Sequence, residues 1–311
     1  MSTGHAHQHA HGTPSSTASV ITVALVLNTV LAVGQVVAGA LFGSIALIAD
    51  SAHQVVDVLG LGIALVGVRL ASRGVTERNT FGWARADVLG ALASSTLLLV
   101  STAWITYEAI RRLTDPHGIE GWPVLVVALV GLFVNAGSAV ALARAEGSMA
   151  TRAAVVHLVG DAAGSAGVLV SAVAVIAADA AWVDPLVALA IAAWVGWTGW
   201  SLLRSSARLL LDVVPVGLSA DAVADTILEV DGVVAVHHLH LWEPAPDDPS
   251  VSAHVVVDGD MVVHESQALL DLVRDRLHDV HGIAHATFEV ECHPCEDAEH
   301  GVARVGADEG E

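Results

Sequence analysis

Two apolar stretches of this 311-residue chain carry the same arrangement of ionisable side chains: His53 with Asp57, and His157 with Asp161. Each pair is spaced H-x-x-x-D. An offset of four puts both side chains on one face of an α-helix, about a turn apart. Two such faces turned toward each other offer two imidazoles and two carboxylates, a tetrahedral N2O2 set that suits Zn(II). A lone His or Asp in such a stretch reads as a hydrogen-bonded contact between helices, but two copies of one spacing argue for a shared ligand set. Ionisable groups within membrane-spanning helices are costly and mark ion sites or pathways. Gly160, Ala162, Ala163, Gly164 and Gly167 surround the second pair and let neighbouring helices approach closely. Asp50 lies seven residues before Asp57, on the same face but nearer the helix start. It is a candidate ligand, a support behind the ligands, a gate group or a helix contact. Asn135 is a candidate hydrogen-bond partner for a ligand, or a contact between helices.

The elements that must position these residues are six runs of mostly apolar sequence: 19–42, 44–68, 87–110, 122–143, 153–178 and 185–203. Each reaches the length of about 20 residues needed to span a bilayer. Composition agrees, with 54% hydrophobic residues, 15% charged and a mean hydropathy of +0.64. All 13 basic residues are Arg. With the N-terminus inside, the inner loops carry eight of these (Arg69, Arg73, Arg78, Arg85, Arg144, Arg152, Arg204, Arg208) and the outer loops only Arg111 and Arg112. That asymmetry predicts cytoplasmic N- and C-termini. The first 17 residues show no basic segment leading into an apolar run, so no secretory signal is expected. Instead His5, His7, His9 and His11 alternate with small residues, a metal-binding and disordered composition over 1–18.

Charge divides the chain. Residues 1–212 hold 12 acidic and 10 Arg residues, and residues 213–311 hold 21 acidic and 3 Arg. The second part has no basic stripe for nucleic acid and suits cations. Residues 213–295 read as a small α+β domain: a helix at 219–230 with Ser219 as its cap, strands at 233–242 and 251–258, an amphipathic helix at 264–280 and a strand at 286–292. This αββαβ order predicts a three-stranded sheet with helices on one face. Residues 296–311 are acidic and expected to be disordered. Strict alternation along the first strand puts His238 and His240 on one face and His237 on the other. Ten of the 17 histidines follow residue 212, so metal binding by some of them is expected. Cys292, His293 and Cys295 form C-H-P-C, half of a structural zinc site at most.

The runs GSIALIADSAHQVVDVLG, FGWARADVLGAL, HLVGDAAGS and VHHLHLW, taken in order, resemble the cation diffusion facilitator family over roughly residues 19–292. The resemblance implies a homodimeric antiporter of divalent metal and protons, with six spanning helices and a metallochaperone-like cytoplasmic domain. It maps the transport ligands onto His53, Asp57, His157 and Asp161. This His-Asp combination resembles the zinc-type members, since manganese-type members favour Asp or Asn over His. Asn28 fits the family, whereas Gln35 stands where relatives often have an acid. The loop RAEGSMATR lacks the histidines that some relatives carry there. A two-metal cytoplasmic site near the dimer interface maps onto His237, His254, His264 and Glu289 or Glu291. Asp87 is an auxiliary metal position or a salt-bridge partner of Arg85. The expectation is a lipid-embedded protein of the bacterial cytoplasmic (inner) membrane that exports Zn2+ (or Cd2+, Co2+, Ni2+) in exchange for protons by alternating access. Zinc is then both substrate and regulatory ligand. A membrane metalloenzyme would need an open coordination position and a general base, and no Ser or Cys nucleophile sits beside a His in the helices. A non-transporting sensor would not need His/Asp pairs within the membrane.

Overall fold

The computed structural model describes residues 14–42, 45–73, 75–114, 121–144, 148–178, 182–293 and 302–305. Two units divide at Ala207/Arg208. The first contains α1 (Pro14–Phe42), α2 (Ile45–Ala71), α3 (Ala84–Thr114), α4 (Gly121–Ala143), α5 (Met149–Ala178) and α6 (Val183–Leu210), whose last residues run into the second. The shortest has 23 residues and rises about 34 Å, enough to cross the hydrocarbon core of a bilayer. Among the described residues, Gln54–Ala71, Ala84–Thr114 and Pro185–Leu210 are long and apolar enough to span, and Ala18–Gly34 and Ala128–Ala143 are shorter apolar stretches. Large apolar side chains point outward, with Leu41, Phe133 and Trp197 each at least 70% exposed. Such a surface suits lipid rather than water.

Helix α2 lies at the centre, in contact with α1, α3 and α5, while α4 packs on α1 and α5. A core of small and aliphatic residues joins Ile21 and Ala24 of α1, Leu61 and Leu65 of α2, Leu142 of α4 and Leu158 of α5. Polar ties fix the pairs. Gln54 Nε2 donates to Asn28 Oδ1 (3.2 Å), and the Ser94 hydroxyl donates to the Gly60 carbonyl (3.0 Å). Glycines set the closest crossings. A Cβ at Gly67 would lie 3.1 Å from the Ala86 carbonyl oxygen, and one at Gly90 would lie 3.3 Å from the Gly67 Cα, so the α2 and α3 backbones meet directly. On α6, Val187, Ile191 and Val195 fill the grooves left by Gly167 and Gly160 of α5.

The second unit consists of α7 (Ala220–Leu228), β1 (Val233–Ala245), β2 (Asp248–Val257), α8 (Val263–His281), β3 (His285–Glu291) and β4 (Val302–Val305). The sheet order is β3-β2-β1-β4: β1 is antiparallel to β2 and β4, and β2 is parallel to β3 across the α8 crossover. Both helices cover one face, where Val223, Ile227, Val236, Val255, Val273 and Leu277 form the core. The expected stripe on α8 is buried as a set. That helix stops at Gly282, whose left-handed backbone (φ +67°) is the usual helix terminator. Ser219 precedes α7, but its side chain makes no cap hydrogen bond.

Two expectations change here. The sheet has four strands, because residues 302–305, expected to be disordered, add to the outer edge of β1. A short apolar run, V-A-R-V, inside an acidic tail is enough to supply backbone pairing. The alternation along β1 also fails. His237 pairs with His254, but His240 pairs with Ser252, so β1 spends three residues where β2 spends two. A β-bulge therefore puts His237 and His240 on the same, open face, where alternation had set them on opposite faces.

Replacing Gly90 by Leu should drive a side chain between two backbones and lower stability by about 1–3 kcal/mol or more. Gly34→Leu, where no atom lies within 4 Å of the new Cβ, is the control. Melting temperatures in detergent check this; equal values for the two variants would contradict the close crossing.

Candidate metal centres

In the helical unit, α2 presents Asp57 and α5 presents His157 and Asp161. Their ligating atoms all lie within 4.8 Å of one another. His157 Nε2 is 3.1 Å from Asp57 Oδ1 and 3.8 Å from Asp161 Oδ2. Ligands around a tetrahedral ion with bonds of about 2.1 Å sit roughly 3.4 Å apart, between those two distances. Asp57 is 1% exposed and His157 5%. Nε2 of His157 is buried and faces both carboxylates. The ring of His157 lies over Gly60, one turn beyond Asp57, where an added Cβ would be in ordinary contact with Cε1 at 3.9 Å.

His53 lies on α2 one turn before Asp57, and Asp50 one turn before that. The side chains of both lie outside the described residues. Asn135 is buried on α4, its Oδ1 without a hydrogen bond. Asp87 is 4% exposed, and its Oδ2 accepts from the backbone N–H groups of Met149 (2.8 Å) and Ala150 (3.4 Å). It therefore caps α5 from α3, with its charge at the positive end of the helix dipole. Sequence spacing gave no sign of this contact, because the two residues lie 62 positions apart.

In the second unit a cluster forms on the sheet face opposite the helices. One ring nitrogen from each of His237, His238 and His254 lies within 4.8 Å of the others. Glu291 bridges two of these rings, with Oε2 2.8 Å from His237 Nε2 and Oε1 2.7 Å from His254 Nδ1. Glu289 Oε2 approaches His254 Nε2 at 3.4 Å. His237 Nδ1 is buried and has no hydrogen-bond partner. Burial, reinforced by the neighbouring imidazoles of His254 and His238, pushes the His237 pKa below its ordinary value, although Glu291 opposes this. His264 is exposed in the first turn of α8, outside this group. Cys292 and His293 are exposed just after β3, and Cys295 lies outside the described residues, as does the N-terminal His tract. Reading alternation alone missed His238 as a member of the cluster; the paired H-H before L-H-L-W was the available signal of a break in register.

The family model described as the cation efflux transmembrane domain matches residues 21–211, and that of the cation efflux protein cytoplasmic domain matches residues 215–293. The chain is 34% identical to the zinc transporter ZitB of Pectobacterium atrosepticum, covering 94% of this chain and 91% of that one. It is 34% identical to the metal cation efflux system protein CzcD of Cupriavidus metallidurans, covering 96% and 93%. It is 28% identical to the cadmium, cobalt and zinc/H(+)-K(+) antiporter of Bacillus velezensis, covering 93% and 92%.

Because the folded state holds His237 below its ordinary pKa near 6.5, the unfolded chain binds the extra proton first as pH falls. Stability from this residue is therefore present above about pH 6.5 and declines below it. Thermal melts of chelator-treated protein between pH 7.5 and 5.5 should fall more steeply for the native chain than for His237→Gln. Parallel curves would remove His237 as the cause.

Proposed function

The chain belongs to the cation efflux family, the cation diffusion facilitators, and on that premise we propose that it exports zinc(II) in exchange for protons through Asp57, His157 and Asp161, with His53 as the fourth ligand. It is an integral membrane transporter and not an enzyme. The observation that carries the site reading is the convergence of three ligating atoms from α2 and α5 within 4.8 Å, in a buried setting. A mixed imidazole and carboxylate set favours zinc, with cadmium, cobalt and nickel as competitors.

The chemistry couples the ion to protons. Ligands bind metal only when deprotonated, so metal and protons compete for the same lone pairs. Histidine titrates near neutral pH, so a modest difference between compartments exchanges one for the other. Rocking of helix groups then opens the site to each side in turn. The arginine asymmetry supports cytoplasmic termini, and the bacterial relatives support an inner-membrane location. The second unit takes zinc as a regulatory ligand at His237, His254 and Glu291, a reading supported by their proximity. It also pairs two copies into a homodimer, in line with its match to the family's cytoplasmic domain.

Zinc uptake into everted membrane vesicles tests the transport site. A proton gradient should drive uptake, and Asp57→Ala and Asp161→Ala should each lower the initial rate by about two orders of magnitude or more. Native rates in these variants would move the cargo to another site. Collapse of the proton gradient without effect on uptake would end the antiport reading.

A further inference from the structure

His238 holds a backbone conformation that its residue type does not favour. Its φ is +50°, in the left-handed region where glycine is the usual occupant. It sits at the bulge of β1, a strand paired on both sides, and the register slips at the same place against β2 and against β4. In bulges of this kind the left-handed position is normally glycine. A histidine there is a strained choice unless its side chain has a use.

The use is visible in where the ring goes. The bulge carries the His238 ring to 4.7 Å from that of His254 and 5.4 Å from that of His237, centroid to centroid. The other two rings are 5.1 Å apart. Strict alternation would have turned residue 238 toward the helix-packed core that Val236 and Leu239 occupy. Glu291 meanwhile accepts from one nitrogen of His237 and one of His254, and the other nitrogen of His254 has Glu289 Oε2 at 3.4 Å. At His237 the other nitrogen, Nδ1, is buried without a partner.

We propose that His238 is a third imidazole ligand of the cytoplasmic metal site, joining His237, His254 and Glu291. The site then takes a divalent transition ion that prefers nitrogen donors, such as zinc or cobalt, over an oxygen-preferring one such as magnesium or manganese. This rests on the reading of the second unit as a metal site.

The test uses the full-length protein in detergent, with Asp57→Ala and Asp161→Ala removing transport-site binding, and Co2+ as the probe. Binding is followed by the visible absorption of bound cobalt and by thermal melting. His238→Gly should leave the metal-free melting temperature unchanged or raised, because the left-handed strain is gone. It should weaken cobalt binding by about tenfold to a hundredfold and reduce the visible band. His238→Asn, which tolerates left-handed backbone but lacks the ring, should behave the same way and guards against a folding defect in the glycine variant. If both His238 variants bind cobalt with native affinity and spectrum while His237→Ala and His254→Ala lose it, His238 is not a ligand and only this inference falls. If all four variants bind as the native chain does, the metal reading of the second unit falls with it.

Discussion

A carboxylate removed from water and left without a counter-charge is among the most unfavourable groups a fold can hold. Asp57 imposes that condition on the helical unit: it is 1% exposed, in the middle of an apolar helix. Its surroundings answer it with a second ionisable pair, His157 and Asp161, rather than with a fixed cation such as arginine. The difference matters chemically. A guanidinium would neutralise the site permanently, whereas imidazole and carboxylate can be neutralised by a proton or by a metal ion and released from either. The rest of the unit keeps that arrangement in register. Ser94 holds the α2 backbone one turn beyond Asp57, Asn28 and Gln54 join α1 to α2, and Asp87 fixes the start of the helix that carries His157.

Much of this unit was legible in the sequence because its signals are local. Runs of about 20 apolar residues and a spacing of four are short-range patterns, and they led to six helices and to Asp57, His157 and Asp161, which lie together on α2 and α5; the side chain of His53, the fourth expected ligand, lies outside the described residues. Asp87 was not legible. Its role depends on the first turns of α3 and α5 lying side by side, which no spacing encodes, so neither an auxiliary metal position nor a salt bridge with Arg85 anticipated a helix cap.

The second unit was legible in its elements and not in its register. The order of helices and strands follows from periodicity, but strand faces depend on counting residues without error. One extra residue at His238 reverses every face assignment after it. The fourth strand was hidden for a different reason. Four residues in a strongly acidic tail carry too little apolar pattern to stand out, and their pairing comes from the open edge of β1. An edge strand of this kind also shields backbone groups that would otherwise recruit another chain.

The contact between Gly67 and Gly90 bears on how the helical unit can move. Most helix pairs are separated by a layer of side chains, which can change rotamer and let the helices slide or tilt. Here the backbones touch, so no soft layer remains to absorb displacement. Contact of that kind favours α2 and α3 moving together, with Asp57 carried on the pair. A crossing with side chains between the backbones, such as the one where Val187 and Ile191 of α6 rest in the groove at Gly167, leaves rotamer changes as a way to take up displacement.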